Sequence, residues 1–526
     1  MQSRSLVLGT CPVVIFTVLS LAWSAPGWPE AGVTLGDSPS ADAVALYPDG
    51  MDLALADLPD HVETILQSSG LPGLAVAVVH EGETVFAQGF GTRDGVNPVT
   101  PETVFQIASL SKPLAATVAA IQVSEGQISW QDPVVDHLEG FELSDPYVTE
   151  QVTIGDFFAH RSGLPMAAGD ELEDLGFARA KIIERLALMP LDPFRSTYHY
   201  ANYGITIGAE AVASAAEMDW ETLSDTVLYQ PLGMTSTSSR RADFLEQENR
   251  AILHTYENGV FEALYERDPD PQSPAGGVSS SVVDMAEWMK LILAEGVYEG
   301  EPLVDPAALL PALTPQSVST RSRQVEARSG FYGYGFGVGV TTSGRTTLSH
   351  SGAFALGAAT HVHFLPSADL AIIVLTNGGP IGIPEAVAAQ FMDIVQFGSA
   401  TRDWSAGYAQ AMSPLYAPAG DLAGETAPED PEPPLSLDAY TGLYQNEYYD
   451  QVEVKILDDA LVLVLGPGQI LFPLDSWDGH QFAISPSNEN APAGTRSSVL
   501  FAVEDEQTTG FVVPFWDTHG LGTWAR

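Results

Sequence analysis

Cysteine is almost absent. Cys11 is the only one in 526 residues, and it stands inside an N-terminal apolar run. Once that run is removed no thiol is left, which excludes disulfides, cysteine nucleophiles and thiolate metal sites. Basic residues are scarce as well: 21 Lys and Arg stand against 68 Asp and Glu, a formal net charge of −47. Such a chain repels phosphate backbones and anionic membrane surfaces, so nucleic-acid binding is excluded as its function. Only four lysines occur: Lys112, Lys181, Lys290 and Lys455. A surface rich in acid and poor in lysine stays solvated in brine, a halophilic adaptation, or belongs to an ordinary acidic extracellular protein. There is no Gly-x-Ser-x-Gly elbow, no Walker-type glycine loop and no His-Glu-x-x-His, which argues against an α/β-hydrolase, a nucleotidase and a zinc peptidase. His361 and His363 share one strand face without a third ligand nearby, so neither metal nor cofactor is expected.

The chain opens with an export signature. Arg4 precedes an apolar run from Leu6 to Trp23, and Ala22-Trp23-Ser24 offers a cleavage site, so 1–24 reads as a signal peptide. The protein is then periplasmic or extracellular, with no membrane span left after cleavage. The alternative is an uncleaved N-terminal anchor. Residues 25–48 form a Pro-, Gly-, Ala- and Asp-rich linker. Strands at Leu74–His80 and Thr84–Phe90 flank Glu81-Gly82-Glu83, a hairpin signal. A helix is expected over Ser109–Glu125, ended by Gly126. Apolar runs return at Tyr332–Val340, Thr346–Ser349, Thr360–Leu365 and Leu370–Leu375, and a helical pattern follows at Pro384–Phe397. Strands open and close the region 49–400 and helices fill it. That order predicts an α+β fold: an antiparallel sheet built from both chain ends, with an inserted helical lobe. Residues 401–436 form a second linker, Pro-rich, charged and extended around Ala427–Pro434. From 437 to 526, short β-runs at Val452–Ile456, Leu461–Leu465, Gln481–Ile484, Ser498–Val503 and Gly510–Phe515 predict a small antiparallel barrel.

Three motifs carry chemistry. In Ser109-Leu110-Ser111-Lys112 the i, i+3 spacing brings an amine beside a hydroxyl on one helix face. A serine hydroxyl becomes a nucleophile when an adjacent base takes its proton, and lysine is a base only if burial lowers its pKa. In Tyr200-Ala201-Asn202 a phenol can share that proton and an amide can bind a substrate carbonyl and orient the lysine. Tyr-x-Asn also occurs at Tyr256–Asn258 and Tyr444–Asn446, but the turn before an apolar helix favours the first. In His350-Ser351-Gly352, on a strand of the closing sheet, the glycine lets a substrate backbone approach, and a backbone N–H just past it can donate to an oxyanion. His80-Glu81-Gly82 fits the same pattern but falls in the hairpin turn.

Taken in order, these motifs resemble the active site of the serine β-lactamase-like, penicillin-binding-protein family, which includes class C β-lactamases, D-Ala-D-Ala carboxypeptidases, D-aminopeptidases and related esterases. Gly70–Ala77, Thr103–Ala108, His160–Pro165, Pro231–Met234, Gly276–Ser280 and Leu375–Asn377 are similar to further segments of that family, so the resemblance covers about residues 50–400. It implies a β-lactamase/transpeptidase-like fold and an acyl-enzyme on Ser109. Lys112 and Tyr200 would move the proton. Asn202, His350 and Gly352 would contact substrate, and the N–H groups of Ser109 and Ala353 would form the oxyanion hole. Many relatives carry lysine where His350 stands. A mostly neutral imidazole grips a substrate carboxylate less firmly, which favours D-amino acid or D-Ala-D-Ala type peptides, amides or esters over penicillins. A true β-lactamase is the alternative, and a non-catalytic sensor of penicillin or peptidoglycan fragments is the rival from another class. Tyr440–Tyr444, Leu461–Leu465 and Gly522–Arg526 resemble the lipocalin-like barrel that follows the catalytic domain in some relatives. That resemblance implies a barrel that covers the active site or joins copies into a homo-oligomer.

Overall fold

Strand β1 (Gly73–His80) turns at Glu81 and Gly82, both with positive φ, into β2 (Glu83–Gly91). This two-residue turn matches the right-handed strand twist, and it is the hairpin expected from the sequence. The computed structural model describes residues 45–526. The expected signal peptide at 1–24, and the linker up to residue 44, lie outside the described residues. Late in the chain come β3 (Ser317–Thr320), β4 (Gly330–Tyr332), β5 (Gly337–Val340), β6 (Thr346–Phe354), β7 (Ala358–Leu365) and β8 (Leu370–Thr376). They join the first hairpin in one eight-stranded sheet of order β2-β1-β8-β7-β6-β5-β4-β3, antiparallel throughout. Early and late chain thus meet at the β1–β8 pair, where Val76 faces Val374.

Side chains alternate across this sheet. Leu74, Val76 and Val78 pack with α1 (Gly50–Ser69) and a C-terminal helix, Ile383–Phe397. Ala75, Ala77 and Val79 face the opposite layer, the helical lobe. Both faces of β1 are therefore buried, which is why its sequence is continuously apolar. At the centre of the lobe lie α2 (Ser111–Ser124) and α3 (Asn202–Ala215). α2 is buried nearly all round, and its four alanines suit a close-packed helix.

Two details depart from the sequence expectations. The run Tyr332–Val340 is two strands, because Tyr334 and Phe336 turn into the core, Tyr334 against Trp130 at 4.6 Å and Phe336 against Trp288 at 6.0 Å between ring centroids. The second linker contains a helix that was not expected: Trp404–Met412, capped by Asp403, whose Trp404 indole donates to Asp393 at 2.7 Å.

After residue 436 a four-stranded and a five-stranded antiparallel sheet follow, the latter including Gln481–Ile484, Ser497–Glu504 and Gln507–Val512. They share an aromatic core in which Trp524 stacks on Phe511 at 5.1 Å and on Tyr449 at 5.2 Å. One edge is joined, since Gln445 and Ala525 exchange backbone hydrogen bonds at 2.7 and 3.0 Å. At the other edge Ile470–Pro473 runs into Asp475–Asp478 through Leu474 without pairing to it. This C-terminal unit sits against the lobe. The Tyr448 hydroxyl donates to Glu171 at 2.7 Å, Asn490 donates to Asp174 at 2.8 Å, and Arg185 pairs with Asp450.

Candidate active site

Ser109 stands in a 3-10 turn, Ala108–Leu110, immediately before α2. The turn is strained: Ala108 is fully buried and has φ 49°, in the left-handed region that a Cβ disfavours. Surrounding bonds impose it. The Thr360 hydroxyl donates to the Ile107 carbonyl at 2.8 Å, and the Ser111 hydroxyl donates to the Ala108 carbonyl at 2.7 Å while accepting from the Val278 N–H at 3.0 Å. Gly352 completes the fit. A Cβ there would overlap the Ile107 carbonyl and the Thr360 hydroxyl and lie 2.9 Å from the Ser109 nitrogen. The glycine assigned to substrate approach thus also admits the backbone of the turn that bears Ser109. It also sets the neighbouring residue, Ala353, beside Ser109, and both line one cavity.

Lys112 lies one helical step beyond Ser109, as the spacing predicts. Its Nζ donates to Ser109 Oγ at 2.9 Å, to Asn202 Oδ1 at 2.8 Å and to the Ala275 carbonyl at 2.9 Å. These three acceptors use all three ammonium hydrogens. The side chain is fully buried. Burial lowers its pKa from 10.5 to about 7, against the opposing pull of Asp170 and Glu173. A neutral amine is therefore accessible near neutrality, which a serine's base requires.

Tyr200 covers the lysine, with Nζ 4.5 Å from its ring centroid, and its phenol hydrogen-bonds Ser109. Burial pushes the phenol well above its usual range, so it stays protonated. His160 lies against the ring at 4.5 Å, and its Nδ1 accepts the Ala201 N–H at 3.3 Å. The other two Tyr-x-Asn sites are elsewhere: Tyr256 packs on Tyr416, and Tyr444 lies in the C-terminal core.

His350 is 8% exposed and closed in. Its Nε2 is 2.9 Å from the Tyr332 hydroxyl, and its Nδ1 is 2.7 Å from the Ser351 carbonyl. The Nδ1 must carry the proton, since a carbonyl only accepts, and Nε2 then accepts from Tyr332. Burial, and secondarily the Lys112 charge, lower its pKa to about 3. The cavity of about 460 Å³ is lined by Ser351 and not by His350. The His350 ring stands behind that wall, 6.3 Å from the Tyr200 ring centroid, on the strand face that Gly352 also presents to Ser109. The Ser351 hydroxyl is held at 2.9 Å by Nδ1 of His361, half of the histidine pair, and by Glu385.

Several residues of the cavity carry no motif. Asp170 Oδ2 accepts from Asn202 Nδ2 at 2.9 Å, which turns the amide oxygen of Asn202 toward Lys112. Asp170 Oδ1 has no hydrogen-bond partner, and burial, with the charges of Glu173, Glu171 and Asp174, pushes its pKa well up. Arg267 also lines the cavity, but its guanidinium is held by Glu173 at 2.8 Å and lies 3.9 Å from Glu489. Glu489, Asn490 and Pro492 reach the same cavity from the C-terminal unit.

Comparison with known proteins follows the same division. A family model described as Beta-lactamase matches residues 58–396, and a model described as a domain of unknown function matches residues 426–520. An unguisins hydrolase of Aspergillus violaceofuscus is 25% identical over 460 residues, 81% of this chain and 79% of that protein. Penicillin-binding protein 4 of Amycolatopsis lactamdurans is 26% identical over 317 residues, 59% of this chain and 81% of its own. Among solved structures, the octameric penicillin-binding protein homologue from Pyrococcus abyssi superposes with a TM-score of 0.58 at 18% identity, covering 90% of this chain and all of that one. At that identity the last likeness concerns fold alone.

Proposed function

This chain belongs to the Beta-lactamase family, and from that premise we propose that it is a serine hydrolase whose acyl-enzyme forms on Ser109 and whose substrates are small peptides, amides or carboxylic esters. Serine hydrolysis is the activity class of the family; the residue roles and the substrate class are our reading. The observation that carries it is the buried Lys112 amine, 2.9 Å from Ser109 Oγ, with a pKa near 7.

In this reading neutral Lys112 takes the Ser109 proton as Oγ attacks the carbonyl carbon. The N–H groups of Ser109 and Ala353 receive the developing oxyanion, the step at which preorganised donors matter most. Tyr200, kept protonated, passes its proton to the leaving group and recovers one from the Lys112 ammonium, which restores the neutral amine that takes a proton from water in deacylation. Asn202 keeps Lys112 aimed, with Asp170 behind it. The substrate class rests on charge. His350 supplies no positive charge, and Arg267 is already engaged by Glu173. A substrate carboxylate therefore has little to hold it, which favours neutral or amine-bearing substrates over penicillins. The intact proton-transfer set argues against a non-catalytic sensor. Export rests on the sequence of residues 1–24. A lipocalin-like reading of residues 437–526 is supported by nine antiparallel strands around an aromatic core.

The test is hydrolysis. Nitrophenyl esters, D-aminoacyl amides, D-Ala-D-Ala peptides and a cephalosporin are compared by kcat/KM. Turnover of esters or amides well above the cephalosporin supports the reading. Cephalosporin turnover above all the others overturns the substrate class, and no turnover of any overturns the enzyme.

A further inference from the structure

We propose that Glu489, supplied by the C-terminal unit, is a positioning residue of the active site: its carboxylate pins the turn that follows Ala353 and so fixes the oxyanion hole. The inference rests on the acyl-enzyme reading above.

The β6–β7 hairpin ends close to the nucleophile. Ala353 pairs with Ala359 and Phe354 with Ala358, leaving Ala355, Leu356 and Gly357 as the connecting turn. Within the turn, the Gly357 N–H donates to the Phe354 carbonyl at 2.9 Å. The next two N–H groups point out of it, and the Glu489 carboxylate takes both: Ala355 N–H donates to Oε1 at 2.7 Å and Leu356 N–H donates to Oε2 at 3.3 Å. A carboxylate accepting from backbone N–H groups makes bonds stronger and more directional than neutral ones.

The grip has a second side. The Arg267 guanidinium lies 5.2 Å from the Phe354 ring centroid, 3.9 Å from Glu489 and 2.8 Å from Glu173. Glu489 is itself held by its loop, through Asn490 to Asp174 at 2.8 Å and through Ser487 to Tyr265 at 3.3 Å. Burial raises its pKa to about 7, opposed by Arg267 and by the two N–H bonds. A carboxylate kept in such a place has a structural task. The residue it acts on is near at hand, since Ala353 is two positions before Ala355 and lines the cavity with Ser109. If the turn relaxes, the Ala353 N–H shifts, and a misplacement of about 1 Å at a reacting centre can lower the rate by about 10²-fold.

An adhesive role between the two units would look different. It would lower stability and the yield of folded protein, and leave each folded site as fast as before. The experiment therefore uses the full chain as wild type, Ser109→Ala, Glu489→Gln and Glu489→Asp. Active sites are titrated with a fluorophosphonate, and kcat and KM for a nitrophenyl ester are expressed per titrated site. Glutamine can accept one N–H but presents its own donors to the other. The expected result is a kcat per titrated site lowered about 10- to 100-fold in Glu489→Gln with KM within about threefold of wild type, and partial recovery in Glu489→Asp. A kcat per site within about twofold of wild type, or a loss confined to KM or to the titratable fraction, overturns the proposal. Failure of the underlying reading is separate: wild type would not be titrated, or Ser109→Ala would be titrated equally, and the proposal would fall with it.

Discussion

Replacing Lys112 by methionine separates the electrostatic burden of the active site from its packing. Methionine keeps most of the side-chain volume and removes the amine. The lysine's pKa falls from 10.5 to about 7 in the folded chain. At about 1.36 kcal/mol per unit, burying the ammonium costs the fold about 5 kcal/mol where both states are protonated. The sign is that of a lysine with a depressed folded value. The penalty is full below about pH 7 and fades as pH rises toward 10.5, where the unfolded chain also loses its proton. Lys112→Met relieves this penalty, but it leaves Ser109 Oγ, Asn202 Oδ1 and the Ala275 carbonyl without their donor. Each such loss costs about 1–3 kcal/mol if the group is left dry. The two effects are similar in size, so a single stability value decides little. The pH dependence decides more. Between pH 7 and pH 9 wild type should gain about 2 kcal/mol relative to Lys112→Met, because over that range the unfolded chain holds the extra proton. Urea unfolding of both proteins at the two pH values, followed by tryptophan fluorescence, measures this. A stability gap independent of pH would refute a depressed lysine. Activity should fall by about 10²- to 10⁴-fold, the usual contribution of a positioned base.

Three further outcomes are expected. The kcat/KM of wild type should rise with pH through about 7, as Lys112 loses its proton; a profile flat from pH 5 to 9 contradicts the assigned base. Tyr200→Phe should slow amide hydrolysis by about 10²-fold or more and nitrophenyl ester hydrolysis much less, since nitrophenolate leaves without a proton; equal losses on both would place Tyr200 outside leaving-group protonation. Gly352→Ala should destabilise the chain by about 1–3 kcal/mol and lower kcat, because its methyl overlaps the Ile107 carbonyl behind the nucleophile; a variant with unchanged melting and turnover contradicts the packing described.

The central side-chain pair was legible from spacing. Ser109 and Lys112 meet because i and i+3 share a helix face, and the expected hairpin and closing strands lie where their apolar runs stand. What was hidden depends on contacts distant in sequence. Asp170 reaches Asn202 from 32 positions away, and Arg267 and Glu489 meet across the boundary between the two units. None carries a local signature; Asp170 is one acid among 68 Asp and Glu. Gly352 was recognised by its motif, but only the folded backbone reveals what a Cβ there would strike. His350 shares the strand face of Gly352, yet the Tyr332 hydroxyl and the Ser351 carbonyl close it in, which its motif does not reveal. The helix at Trp404–Met412 escaped because its neighbours in sequence are polar and Pro-rich, while its docking on Asp393 is tertiary.

The most direct test of a Ser109 acyl-enzyme is to locate the covalent adduct. The protein is incubated with a fluorophosphonate, digested and mapped by mass spectrometry, with Ser109→Ala alongside. One adduct per chain on the peptide bearing Ser109, absent from Ser109→Ala, is the expected result. An adduct on a different serine, or labelling that persists in Ser109→Ala, would contradict it.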